Sequence, residues 1–243
     1  SNMTSSNRQI IALGGGGFSM EPDNLLLDQY ILEQSSHSTP RICFLPTASG
    51  DSDRYITRFY DAFTQLNCRP CHLSLFRPPT EGAANFLQKQ DIVYVGGGST
   101  FTLVTLLTAW KLDAALRQAS DIGTILCGLS AGSFCLAEEG LSDSVAPGEY
   151  AKLEALGFLP GSHCPHYDGE NKRRPAYKQQ IGNDNMSAGI AADDGVALHY
   201  IGDTLKHIVT SRQKANAYRV ILAEGTVQEI PLQPRYLGNH KNQ

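Results

Sequence analysis

The sequence has 243 residues, 41% hydrophobic and 18% charged, with a formal net charge of -4. That composition describes a folded chain of one large α/β domain or two small ones and excludes a disordered or fibrous one. The absence of a basic excess sets nucleic acid aside as a partner, and no apolar run reaches the roughly 18 residues of a membrane helix.

The elements follow in chain order. Ser1-Asn2 ahead of Met3 reads as a tag-cleavage scar, so residues 1–3 are set apart from the fold. Gln9–Leu13 reads as a strand that runs into four glycines, Gly14 to Gly17. Pro22 is expected to open a helix carrying Leu25, Leu26, Tyr30 and Ile31. Arg41–Leu45 is a second strand, ending at Pro46. Asp51 or Ser52 caps a helix in which Tyr55, Ile56, Phe59, Tyr60 and Phe63 recur at helical spacing. Strands are expected over 71–76 and 91–95, the latter running into Gly96-Gly97-Gly98. One long apolar helix is expected over 100–118, then a fifth strand over 123–127. Beyond about residue 140 the pattern weakens into turn-rich sequence. Segments 196–200 and 217–222 return as late strands, open to antiparallel pairing.

Strands that alternate with helices specify a three-layer αβα sandwich around a mostly parallel sheet. In such a sheet the ligand crevice lies at the carboxyl ends of the strands. No repeat or linker interrupts residues 4–243, which are read as one domain. Six scattered cysteines, several within apolar runs, suit reduced thiols in a cytoplasmic protein.

Gly128-Leu129-Ser130-Ala131-Gly132 follows the fifth strand and precedes a short helix expected over 133–138. This is G-x-S-x-G in the context of a nucleophile elbow. Glycines two residues to either side allow the tight turn. The Ser130 hydroxyl stands above the sheet, and the Ala131 N–H faces a developing oxyanion. Gly96-Gly97-Gly98-Ser99-Thr100 ends the neighbouring strand and starts a helix, so its backbone N–H groups offer a second oxyanion donor. The Gly14-Gly15-Gly16-Gly17 run is not G-x-G-x-x-G. Counted from Gly14 the third glycine falls on Ser19, and from Gly15 on Met20, so no dinucleotide cofactor is expected. A serine nucleophile needs a base. Of His37, His72, His163, His166, His199, His207 and His240, His163 and His166 lie in a dense polar segment, 162–168. Asp143, Asp168, Asp193 and Asp194 are candidate acids to orient the base. Cys68-Arg69-Pro70-Cys71 is a single C-x-x-C without further ligands, and no metal is expected.

Three segments together resemble the peptidase E (α-aspartyl dipeptidase) and cyanophycinase group of serine peptidases. They are Val95-Gly96-Gly97-Gly98-Ser99-Thr100-Phe101, Gly128-Leu129-Ser130-Ala131-Gly132-Ser133 and Cys164-Pro165-His166-Tyr167. Ser99 stands where members usually carry asparagine. The resemblance runs from the Gly14–Gly17 loop to the Asp-Asp-Gly segment at Asp194. It implies a class I glutamine amidotransferase-like (flavodoxin-like) fold, a Ser-His-acid mechanism without a cofactor, and short peptides as substrates. It makes Ser130 the nucleophile and His166 the base, with Gly98 and Ala131 as oxyanion donors. The acid is then Asp194, in Gly189-Ile190-Ala191-Ala192-Asp193-Asp194, with Asp143 and Asp193 as alternatives. His163 is expected to be a bystander. The known preference of the group for aspartyl substrates directs attention to Lys172, Arg173 and Arg174, since arginine clamps a carboxylate bidentately. A cyanophycinase-like hydrolase of aspartate-linked peptides, an esterase and an idle binding protein are the competing readings, and a homo-oligomer is allowed.

Overall fold

The structure, a computed structural model, describes residues 7–238. The Ser1-Asn2-Met3 segment and His240 lie outside the described residues. Strand β1 (Gln9–Leu13) runs into the glycine loop, followed by a single helical turn, α1 (Gly17–Met20). Helix α2 (Leu26–Glu33) begins later than the proline expected to open it. Pro22 lies in a turn, and Asn24 Oδ1 accepts the Leu26 N–H at 3.3 Å, which sets the start of the helix.

Strand β2 (Arg41–Leu45) leads through a 3-10 turn over Thr47–Ser49 to α3 (Asp53–Phe63). Ser52 caps that helix, accepting the Tyr55 N–H at 3.4 Å. Asp51 is not the cap. Its carboxylate accepts the Ser74 hydroxyl at 2.7 Å and the Leu75 N–H at 3.1 Å. Those bonds hold 74–76 in a loop, so β3 is Arg69–His72 rather than 71–76.

After α4 (Ala83–Gln88) and β4 (Ile92–Val95), the long helix expected over 100–118 is two helices, α5 (Thr100–Ala109) and α6 (Leu112–Asp121). Lys111 breaks it at φ 58°. The apolar pattern is continuous across the break because Leu103, Leu107, Leu112 and Leu116 all enter one core cluster. Strand β5 (Ile125–Leu129) and α7 (Ala131–Phe134) form the serine turn. The helix expected to 138 stops at Phe134, and the chain turns into β6 (Ala137–Ser142). Strands β7 (Ala151–Glu154) and β8 (Leu159–Cys164), helix α8 (Arg173–Gly182) and strand β9 (Gly189–Ala192) follow. The chain closes with β10 (Val196–Ile201), β11 (Thr204–Thr210), β12 (Ala217–Ala223), β13 (Thr226–Leu232) and β14 (Arg235–Tyr236).

The strands form two sheets. The larger has the order β14-β11-β10-β1-β5-β4-β2-β3. Its β1, β5, β4, β2 and β3 are parallel, and β10 joins β1 antiparallel. Alternate residues feed opposite faces. Ile10, Cys43, Val93 and Leu126 pack under α4 and α6, while Ile11, Phe44, Tyr94 and Cys127 pack under α2 and α3. The second sheet, β13-β12-β9-β8-β6-β7, is additional to the sandwich expected from the sequence. Its parallel centre, β9-β8-β6, sits beside the serine turn, and α8 packs on it through Tyr177 and Ile181.

Candidate active site

The site lies at the carboxyl end of β1. Three successive carbonyls there anchor three different loops. Leu13 O accepts the Ser130 N–H at 3.3 Å, Gly14 O accepts the His166 N–H at 2.8 Å, and Gly15 O accepts the Gly195 N–H at 3.0 Å. A central parallel strand thus draws together residues that lie far apart in the chain.

Ser130 has φ 57° and ψ -114°, an unfavourable conformation for a side-chain-bearing residue and the mark of a sharp strand-to-helix turn. The flanking glycines are steric necessities. A Cβ on Gly128 would strike the Gly132 carbonyl, and one on Gly132 would strike the Val95 carbonyl. Among the described residues, nothing hydrogen-bonds the Ser130 hydroxyl. Gly98, at φ 141°, follows β4, and a Cβ there would strike the Ala48 carbonyl. The Gly97 N–H is taken by Tyr55 Oη at 3.1 Å, whereas the Gly98 and Ala131 N–H groups have no acceptor among the described residues. Both are therefore open to a ligand oxygen.

His166 stands just past the end of β8 at φ 53°. Its Nδ1 meets Asp194 Oδ1 at 2.5 Å, with the two side chains 20% and 11% exposed. With Nδ1–H donating to this carboxylate, Nε2 carries the free lone pair. Asp194 is held in turn by its own N–H, which donates to Asp168 Oδ1 at 2.8 Å. Gly15 and Gly169 leave room for the pair. A Cβ on Gly15 would overlap Asp194 Oδ1 and lie 3.0 Å from His166 Cε1, and one on Gly169 would lie 3.0 Å from Asp194 Oδ2. Asp193 faces away and accepts the Asn216 N–H at 2.9 Å, and burial raises its pKa from 3.8 to about 6. Asp143, beyond β6, makes no hydrogen bond to His166.

His163 points the other way, into the space between the sheets. It is 4% exposed, with Nε2 2.9 Å from Ser133 Oγ and Nδ1 3.2 Å from Ile190 O. Burial lowers its pKa from 6.5 to about 4, so it is neutral. The two arginines differ from the free clamps expected. Arg173 donates to Glu170 Oε2 through Nε and Nη2. Arg174 is bidentate to Glu229, both contacts at 2.9 Å, and lies over the rings of Tyr167 and Tyr218. Sequence reasoning named Asp168 as a candidate acid but not as the acceptor of the Asp194 N–H, and it gave no part to Gly15 or Tyr55. A four-glycine run closing the first strand was the one visible signal, and it was tested only as a cofactor loop.

A serine on a sharp strand-to-helix turn and a His–Asp pair are both anchored at the carboxyl end of β1, an arrangement that a hydrolase can use. The comparisons with known proteins agree. The chain belongs to peptidase family S51, whose pattern matches residues 10–208. It is 58% identical over 231 residues to the "Uncharacterized peptidase YgaJ" of Bacillus subtilis, covering 95% of this chain and 100% of that one. It is 26% identical over 211 residues to "Peptidase E" of Shewanella denitrificans, covering 81% and 83% of the two chains. It is 29% identical over 136 residues to the "Probable alpha-aspartyl dipeptidase" of Drosophila melanogaster, covering 54% of each. A crystal structure of a peptidase from an acI-B1 Actinobacterium superposes with a TM-score of 0.65 at 18% identity, covering 94% and 95%. The α/β sandwich and peptidase activity follow from this membership. No helix among the described residues is long and apolar enough to cross a membrane.

Proposed function

We propose that this peptidase is of the serine type and hydrolyses short peptides through Ser130, His166 and Asp194. The observation that carries the reading is the convergence of Ser130, His166 and the Asp194 loop on three adjacent carbonyls of the β1 end. His166 Nε2 takes the Ser130 hydroxyl proton as Oγ attacks the scissile carbonyl. The Gly98 and Ala131 N–H groups receive the oxyanion. His166 then protonates the leaving amine, and water repeats the sequence on the acyl-enzyme. Asp194 holds the tautomer and stabilises the imidazolium. Six free thiols support a cytoplasmic setting.

The substrates we propose carry an aspartyl residue on the acyl side of the scissile bond, as the names of the relatives suggest. A substrate carboxylate reaching Arg173 or Arg174 would compete with Glu170 or Glu229 for it. Two experiments test the proposal. A fluorophosphonate should label Ser130, and Ser130→Ala should lower kcat by on the order of 10⁶; activity within tenfold of wild type rejects the nucleophile. Paired peptides differing only as Asp or Asn at the first residue should differ at least tenfold in kcat/KM. Equal cleavage removes the acidic preference and leaves the mechanism standing.

A further inference from the structure

Ser133 and His163 are both buried, 0% and 4% exposed, and the mechanism above uses neither. The Ser133 hydroxyl donates to the Ser130 carbonyl at 2.8 Å. A hydroxyl has one proton, so with that proton committed Oγ accepts from His163 Nε2–H at 2.9 Å. Nδ1 is then unprotonated, so its 3.2 Å contact with Ile190 O, an acceptor, is not a hydrogen bond. The chain of hydrogen bonds runs from His163 on β8 to the serine turn, and so couples the second sheet to the first.

The end of that chain is the Ser130–Ala131 peptide. Its carbonyl receives the Ser133 hydroxyl, and its N–H is the Ala131 oxyanion donor. The peptide unit is planar, so fixing the carbonyl direction fixes the N–H direction. A hydrogen bond at the carbonyl also polarises the amide and strengthens its N–H as a donor. The Ser133 and Phe134 N–H groups reach the same carbonyl at 3.0 and 2.9 Å from the first turn of α7. The hydroxyl adds a third contact, directed from the side of His163.

We propose that Ser133 and His163 are positioning residues that orient and polarise the oxyanion-hole peptide of Ser130–Ala131. The pair acts on the transition state and not on substrate binding, since the oxyanion forms only after attack. The proposal rests on Ser130 being the nucleophile.

The test compares Ser133→Ala, Ser133→Thr, His163→Gln and His163→Leu with wild type, each folded sample counted by fluorophosphonate titration of Ser130. Glutamine keeps an N–H near the Nε2 position, and leucine removes it. Per titrated site, Ser133→Ala and His163→Leu should lose about tenfold in kcat with KM within twofold, less than the 10²–10³ of deleting a donor outright. Ser133→Thr and His163→Gln should stay within about threefold of wild type. The double variant Ser133→Ala/His163→Leu should be no slower than Ser133→Ala, because one chain of contacts is broken once. Wild-type kcat per site in Ser133→Ala, no rescue by threonine, or additive losses each overturn the proposal. If His163→Leu does not fold, Ser133→Ala against Ser133→Thr decides alone. A wild-type enzyme that hydrolyses peptides without labelling at Ser130 defeats the nucleophile assignment, a result distinct from all of these.

Discussion

Gly15→Ala should disable the protein although it replaces no reacting group. Gly15 is not in the left-handed region, so alanine meets no backbone penalty there. Its Cβ would lie 2.9 Å from Asp194 Cγ and 3.0 Å from His166 Cε1. Carbon atoms settle at about 3.5–4.0 Å, so the carboxyl or the ring must retreat by about 0.6–1 Å. The Asp194 backbone cannot shift freely to relieve this, since its N–H is tied to Asp168 Oδ1. The 2.5 Å His166–Asp194 contact would then open beyond hydrogen-bond range. A misplacement of about 1 Å in a catalytic group costs on the order of 10²-fold in rate. The assay is kcat/KM on a short peptide beside thermal unfolding, with Gly225→Ala as control. Gly225 has φ 77° and open space around its Cβ position, so that change costs about 1 kcal/mol of stability and no activity. Gly15→Ala in an Asp194→Ala background should cost little more, because the contact it breaks is already gone. A folded Gly15→Ala enzyme with kcat/KM within threefold of wild type would refute the steric argument.

Asp194→Asn should lower kcat by far more than Asp143→Asn, measured on the same peptide; the reverse ranking would move the acid to the β6 end. Arg174→Ala should lower the melting temperature, corresponding to about 1 kcal/mol, through loss of the half-exposed Glu229 pair and its packing on Tyr167 and Tyr218. Burial lowers the pKa of His163 and of His199 from 6.5 to about 4. Both are neutral in the fold, so their contribution is complete above pH 6.5 and is lost as pH falls toward 4. The melting-temperature advantage of wild type over His199→Gln should therefore shrink between pH 7 and 4.5, and an advantage that stays constant would contradict it. Asp28 has the opposite sign. It is 0% exposed, Oδ2 has no partner, and desolvation raises its pKa from 3.8 to about 7. Its stabilisation is present below pH 3.8 and is lost as pH rises through 7, so Asp28→Asn should raise the melting temperature more at pH 8 than at pH 5.

The sequence alone determined the parallel half of the large sheet and the serine turn. Arg41–Leu45 and the strand ahead of Gly96 read correctly because buried parallel strands are continuous apolar runs. The G-x-S-x-G turn was legible because its constraints are local: two glycines, one strand and one helix within ten residues. The resemblance picked His166 over His163; in the structure His166 Nδ1 meets Asp194 Oδ1 at 2.5 Å. The second sheet was not legible. Its β6, β7 and β8 carry Glu139, Lys152, Glu154, Ser162 and His163, so they lack an apolar signature of either period. Their burial comes from partners distant in sequence. Nor could sequence show that Arg173 and Arg174 already have Glu170 and Glu229 as partners, since β13 supplies Glu229 from across the fold. The Gly14–Gly17 run announced only that something approaches closely. Tertiary structure decided that the close neighbours were Asp194 and His166, because clearance is a property of what packs against a glycine and not of the glycine itself.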